Sequence, residues 1–216
     1  MTVRALITGV GGFAGRYLAA YALSCGATVF GQSRGEHFPP GVSGIRANLH
    51  DPESAARVVQ RSAPDFVFHL AAQTPANTPE ADLASWLTES PVGTLNLLEA
   101  VRVHRPMARV LIVSSSAVYG HVPAVLLPID ETAPLQPTTM YGVSKATQEL
   151  LAIRYGAEHG LHIVRARPFN QVGPGEPRTM LTSVLAAQVA AITRGAPPVI
   201  RMRHRATSRD YTDVRD

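Results

Sequence analysis

An α/β fold, a doubly wound parallel sheet with helices on both faces, is what this sequence predicts. Three observations carry the prediction. Short strand-like runs alternate with helical stretches from residue 3 to residue 168. The strand-like runs are apolar, as in strands covered on both faces. A glycine-rich turn, "TGVGGFAG" at 8–15, joins the first strand to the first helix, where such a sheet binds phosphate.

The elements follow in order. "VRALIT" (3–8) reads as a strand, and "FAGRYLAAYALSCG" as a helix that stops at Gly26. "ATVFGQS" is a second strand, and a further strand-like segment precedes "NLH" (48–50). "DPESAARVVQRSA" opens with Asp51 as N-cap and Pro52 at the first helical position. "DFVFHLAA" is a strand. A Pro-rich loop then leads to the helix "TLNLLEAVRVH" (94–104), and "ARVLIVSSS" (108–116) is the next strand. "YGVSKATQELLAIRYGAEHG" is a long helix ending at Gly160, followed by the strand "LHIVRARP". After Pro168 the pattern changes to a loop "GPGEPRT", a helix "MLTSVLAAQVAAITRG" and a short strand "PPVIRM" (197–202). The expected division is a dinucleotide-binding domain at 1–168 and the start of a substrate-binding region at 169–216. "SRDYTDVRD" brings no obvious cap or closure, which predicts that this second region is incomplete.

Composition narrows the class. Apolar residues make up 45% and charged residues 17% of 216, the balance of a globular protein. No apolar run reaches the length of a membrane span. "MTVRALITG" lacks the long apolar region and cleavage site of a signal peptide. A single cysteine, Cys25, suits a cytoplasmic location. A net charge of +4 with scattered arginines does not argue for nucleic acid, and no metal-ligand cluster stands out. The cluster "RMRHR" (201–205) reads either as a solvated strand and loop or as a site for a phosphorylated ligand.

Glycines 9, 11, 12 and 15 sit where a tight turn, close backbone approach to a pyrophosphate and close helix packing each exclude a Cβ. With Phe13 they form the candidate dinucleotide loop, and the helix N-terminus adds free N–H groups and partial positive charge. A glycine-rich turn without a ligand is the plainer alternative. The end of the second strand reads "FGQSRGE". Gln32 and Ser33 stand where NAD-binding chains carry a carboxylate for the ribose 2′-OH, and Arg34 follows. A guanidinium matches the 2′-phosphate of NADP, so NADP is favoured over NAD; Arg34 as an exposed loop residue is the other reading. Asn48 and Leu49 follow the next strand, where an adenine would lie.

The strand "VLIVSSS" ends in serines, and Tyr141 and Lys145 lie one helical turn apart on one face. Lys145 is the one lysine among 20 basic residues. A tyrosine titrates near 10; a nearby ammonium is expected to lower that value, and a serine hydroxyl holds the reacting oxygen.

"TGVGGFAG", "HLAAQ" (69–73), "SSSAVYG" (114–120), "YGVSK" (141–145) and "RPFNQVGPG" (167–175) run in the order of the extended short-chain dehydrogenase/reductase family, the NAD-dependent epimerases and dehydratases, which this sequence resembles. The resemblance covers essentially the whole chain. It implies a Rossmann-like fold, Ser115 as catalytic serine, Tyr141 as acid/base, and Lys145 on the nicotinamide ribose. It places Leu70, Ala71 and Ala72 beside the cofactor, and Pro168 and Asn170 at the cofactor–substrate junction. Ser115 and Ser116 would face the substrate. The ending "SRDYTDVRD" is similar to the branch of GDP-mannose 4,6-dehydratases and GDP-6-deoxy-4-keto-mannose reductases, which puts Arg209 near the nucleotide diphosphate and leaves Arg201, Arg203 and Arg205 structural. Two departures stand out. Ser90 and Pro91 replace an expected asparagine, and family chains continue past "DVRD".

Ala117 occupies the position where dehydratases carry a carboxylate, and alanine cannot act as a base. The leading expectation is therefore NADP-dependent reduction of a nucleotide-linked 4-keto-6-deoxy sugar, a GDP-sugar. A UDP-sugar 4-epimerase using NAD is the second reading. A non-catalytic dinucleotide-binding protein is the third, against which the Ser–Tyr–Lys set argues. The family also implies a homodimer through helices near 92–104 and 142–159.

Overall fold

Six strands run the same way, and their carboxyl ends carry most of the candidate residues. The computed structural model describes residues 2–75, 82–202 and 208–216. The chain divides into two units, Met1–Pro168 and Phe169–Asp216.

In the first unit β1 (Arg4–Thr8), α1 (Phe13–Ser24), β2 (Thr28–Ser33), β3 (Ser43–Arg46), α2 (Pro52–Ser62), β4 (Phe66–His69), α3 (Leu83–His104), β5 (Arg109–Val113), α4 (Met140–His159) and β6 (His162–Ala166) follow in sequence. The sheet order is β3-β2-β1-β4-β5-β6, every pair parallel, which is the doubly wound topology. Adjacent residues of β1 show why its run is apolar throughout. Leu6 packs with Val58, Leu97, Leu98 and Ile112, while Ile7 packs with Val10, Ala19 and Val29 on the opposite face. Both are fully buried, and each contributes about 2 kcal/mol by leaving water.

The helix ends are specified locally. The Asp51 carboxylate accepts from the N–H groups of Glu53 and Ser54, with Pro52 at the first position of α2. Thr139 caps α4 by accepting from Gly142 N–H, and Gly160 ends it in the left-handed region at φ 68°.

Two elements differ from expectation. The third helix starts at Leu83, not Thr94, and runs through Pro91. Asp82 caps its new start by accepting from Ser85 N–H, and Trp86, fully buried in the first turns, anchors the added segment. Proline removes one internal hydrogen bond, and that burial outweighs the loss. In the second unit "PPVIRM" does not form a strand. Its two prolines lack donors, and the Gln188 side chain takes both the N–H and the carbonyl of Arg201. The strands there are β7 (Asn170–Val172) and β8 (Tyr211–Asp213), paired in parallel, with α5 (Leu181–Ile192) between them in sequence. Three-residue strands rich in polar side chains leave no periodic signal.

Candidate active site

The glycine turn leaves β1 directly into α1. Gly9 has φ +68°, and a Cβ there would meet the Ala71 backbone at 2.9 Å. A Cβ on Gly15 would collide with the Gly9 carbonyl oxygen, and one on Gly12 would sit 3.1 Å from it. These three glycines are needed by the turn's own packing. Gly11 is different, because a Cβ there would meet nothing nearer than His37 O at 3.6 Å. Packing does not require its bare Cα, whereas close approach of a ligand's pyrophosphate does. Gly12 is the N-cap of α1 and no side chain caps that end, so its first N–H groups stay open to an anion. Phe13 stands edge-on to Tyr17 at 5.8 Å, and the Arg16 guanidinium lies 5.6 Å from each ring centre. The residues of this turn therefore fit a dinucleotide.

Gln32, next to the glycine turn, is committed elsewhere. It is buried, accepts from Gly9 N–H and donates to the Ala47 carbonyl, so it ties the glycine turn to the end of β3. The Ser33 hydroxyl accepts from Gly35 N–H. Arg34 is exposed and pairs with Glu89 of α3. Asn48 is exposed and accepts from His50 N–H. Leu49 goes into the core, and its carbonyl is held by Asn96; only its backbone remains to face an adenine. Leu70, Ala71 and Ala72 are half-buried at the end of β4.

Beneath the glycine turn lies a buried hydrogen-bond chain that the sequence did not announce. His69 Nδ1 is 2.8 Å from Thr8 Oγ1, and its Nε2 is 2.8 Å from Thr94 Oγ1. Thr94 spends its single proton on the Ser90 carbonyl, at 2.8 Å, and accepts from Gln148 Nε2 at 2.6 Å. Its remaining lone pair must therefore take a proton from His69 Nε2. That makes Nδ1 the acceptor of the Thr8 proton, and Thr8 in turn accepts from Ala71 N–H. One neutral imidazole thus joins β1, β4, α3 and α4. Burial, with the Lys145 charge nearby, pushes its pKa down to about 3.

Ser115 follows β5 and caps the 3₁₀ turn Ser116–Tyr119, its hydroxyl accepting from Ala117 N–H at 3.2 Å. Ser116 N–H donates to the Pro168 carbonyl at 2.9 Å, which fixes this turn to the residues after β6. Ser114 is buried, and its hydroxyl has no partner among the described residues. The start of α4 meets this turn closely, because a Cβ on Gly142 would lie 2.6 Å from the Ala117 carbonyl oxygen. A glycine directly after Tyr141 thus lets the helix bring the phenol close to Ser115, whose hydroxyl acts to lower the phenol pKa. The Trp86 ring stands edge-on to Tyr141 at 5.9 Å. Neither Gly142 nor Trp86 was singled out from sequence; a glycine inside "YGVSK" and the chain's one tryptophan were the available signals.

Lys145 is 4% exposed, and its Nζ donates to the Val113 carbonyl at 2.7 Å. Burial pulls its pKa down to about 8, against the opposing attraction of Glu149. Tyr141 does not follow the expected direction. Burial pushes its pKa up, and the Ser115 hydroxyl offsets part of that rise. The ammonium is directed at a carbonyl on β5, and desolvation of the phenol dominates.

Glu149, one turn beyond Lys145, is fully buried and anchors a second cluster. Arg167 donates to both its oxygens, at 2.8–3.1 Å, and also to Tyr119 Oη and the Glu131 carbonyl, at 3.0 and 3.1 Å. The residue before half-buried Pro168 therefore binds α4 to the Ser115 turn. In the second unit, Asn170 donates to the Asp210 carbonyl from its side chain at 2.9 Å, and Arg209 is exposed. Pairing of β7 with β8 brings these two near each other. Arg203 and Arg205 lie outside the described residues.

The model of the NAD-dependent epimerase/dehydratase family matches residues 5–216. The GDP-6-deoxy-D-mannose reductase of Pseudomonas aeruginosa is 34% identical over 221 residues, covering all of this chain and 68% of that protein. The solved structure of RMD from Pseudomonas aeruginosa with NADPH superposes with a TM-score of 0.81 at 32% identity, over 98% of this chain and 68% of that one. UDP-glucose 4-epimerase of Thermus thermophilus with NAD gives 0.81 at 29%, over 99% and 71%. The chain spans between 61% and 68% of the length of the curated relatives that match nearly all of it.

Proposed function

This chain belongs to the NAD-dependent epimerase/dehydratase family, and from that premise we propose that it carries the catalytic residues of a reductase. Its substrate is a nucleotide-linked 4-keto-6-deoxy sugar, with GDP as the favoured nucleotide and NADPH as reductant. The observation that carries the reading is the close approach of the start of α4 to the Ser115 turn, which brings Tyr141 up to Ser115 with Lys145 one helical turn on, in a turn where residue 117 is alanine. A bound nicotinamide supplies the hydride to C4 of the sugar. Tyr141 donates a proton to the oxygen that becomes the alcohol, and Ser115 holds that oxygen against the phenol. Lys145 holds the ribose hydroxyls and its charge assists proton return to Tyr141. Trp86 closes the side of the phenol away from water. Similarity to a GDP-6-deoxy-D-mannose reductase supports the substrate class, and Arg34 supports the phosphorylated cofactor.

Loss of NADPH absorbance on adding GDP-4-keto-6-deoxy-mannose is the expected result. No oxidation with any 4-keto sugar nucleotide overturns the reading. The second reading, a UDP-sugar 4-epimerase, is favoured by the likeness to the Thermus epimerase with NAD; tightly held NAD(H) after purification distinguishes it. The same proposal pairs two copies through α3 and α4, where Leu95, Val103, Leu150 and Ile153 are exposed.

A further inference from the structure

We propose that Glu89 sets the preference between the two dinucleotides, by competing for Arg34 with a phosphate on the adenosine ribose. The inference rests on the dinucleotide reading above and concerns a residue that the family motifs do not include.

β2 and β4 flank β1. Arg34 directly follows β2, and Glu89 lies on α3, which follows β4. The ion pair between Arg34 Nη1 and Glu89 Oε2, at 3.3 Å, therefore crosses the carboxyl end of β1, where the glycine turn begins. A dinucleotide laid along that turn passes this bridge.

The other groups at the end of β2 are spoken for. Gln32 is buried and holds Gly9 and Ala47, and the Ser33 hydroxyl holds Gly35 N–H. Arg46, paired in register with Ser33, is bound to Glu36 at 2.6 Å. Arg34 is thus the cation aimed across the turn, and its partner is a carboxylate from a different element. The pair sums to zero charge. Glu89 occupies one nitrogen of that guanidinium, so a ribose phosphate either displaces the carboxylate or binds the remaining N–H groups with a like charge one guanidinium away. An unphosphorylated ribose meets neither demand. The side chains are 64% and 34% exposed, so water screens the effect and keeps it to a few-fold.

Nicotinamide fluorescence gives separate dissociation constants for NADPH and NADH in the parent, Glu89→Gln, Arg34→Met and the double variant. Glu89→Gln is expected to tighten NADPH about three- to fivefold, which is about 0.7–1 kcal/mol, and to leave NADH within about twofold. Arg34→Met weakens NADPH, and in the double variant the gain from Glu89→Gln disappears. An unmoved NADPH/NADH ratio in Glu89→Gln overturns the inference. So does weaker NADPH binding in that variant, which would make Glu89 a residue that orients Arg34. So does a gain that survives without Arg34. If the parent binds neither dinucleotide, the functional reading fails and takes this inference with it; binding with an unmoved ratio removes this inference alone.

Discussion

Replacing His69 with glutamine tests whether a neutral imidazole holds the floor of the cofactor turn. Glutamine keeps one acceptor and one donor at its tip, so it still offers partners to Thr8 and Thr94, and it does not titrate. In the native fold the His69 pKa is about 3, against 6.5 for a free side chain. Between those values the unfolded chain binds a proton that the folded chain refuses, so stability falls as pH falls. The full contribution is present above 6.5. Each pH unit below it removes about 1.4 kcal/mol, which is about 2 kcal/mol at pH 5 and about 5 kcal/mol by pH 3. Urea unfolding between pH 5 and 8 measures this directly. Every other ionisable group is common to both proteins, so the difference in slope isolates His69. The parent should lose about one proton's worth more stability per pH unit than His69→Gln below pH 6. Parallel curves, or a His69 resonance titrating near 6.5, would refute both the burial argument and the assigned proton positions.

Other outcomes follow from the same geometry. Lys145→Arg keeps the net charge but puts a planar fork where a compact ammonium meets Val113 O; turnover should fall at least about 100-fold, read from NADPH consumption at 340 nm. Tyr141→Phe keeps the contact with Trp86 and should lower turnover about 10²–10⁴-fold while the NADPH dissociation constant stays within about twofold. Glu149→Gln strands the Arg167 guanidinium in a buried setting and should cost about 3–5 kcal/mol in urea melts; Glu149→Asp should recover part of that loss.

The sheet was legible because β1, β2, β4 and β5 are apolar on both faces, and because Asp51, Pro52 and Gly160 mark helix ends by local chemistry. Spacing put Tyr141 and Lys145 on one helix face and family resemblance added Ser115, and the packing of the Ser115 turn on the start of α4 brings the three to one region. The direction of the Tyr141 pKa was not, because it depends on how deeply Trp86 and its neighbours bury the phenol. The start of α3 was hidden by Pro91, a residue whose local preference opposes the helix that tertiary burial imposes. The His69 chain draws Thr8, Thr94 and Gln148 from positions up to 140 residues apart, and no window along the chain contains them. The Leu49 side chain joins the core cluster with Leu97 and Val58, which position along the chain does not reveal, and leaves its backbone as the part that could face an adenine.

Lys145 is the single lysine of these 216 residues, and its ammonium titrates near 8. Amine-directed reagents therefore find one side-chain target here, apart from the chain's first residue. Because that side chain is only 4% exposed in the folded chain, acylation above pH 8 reports local opening around α4, with no background from surface lysines. Mass spectrometry of the peptide spanning α4, with and without nicotinamide nucleotide, would read any stabilisation of this segment by the nucleotide as slower labelling of one atom.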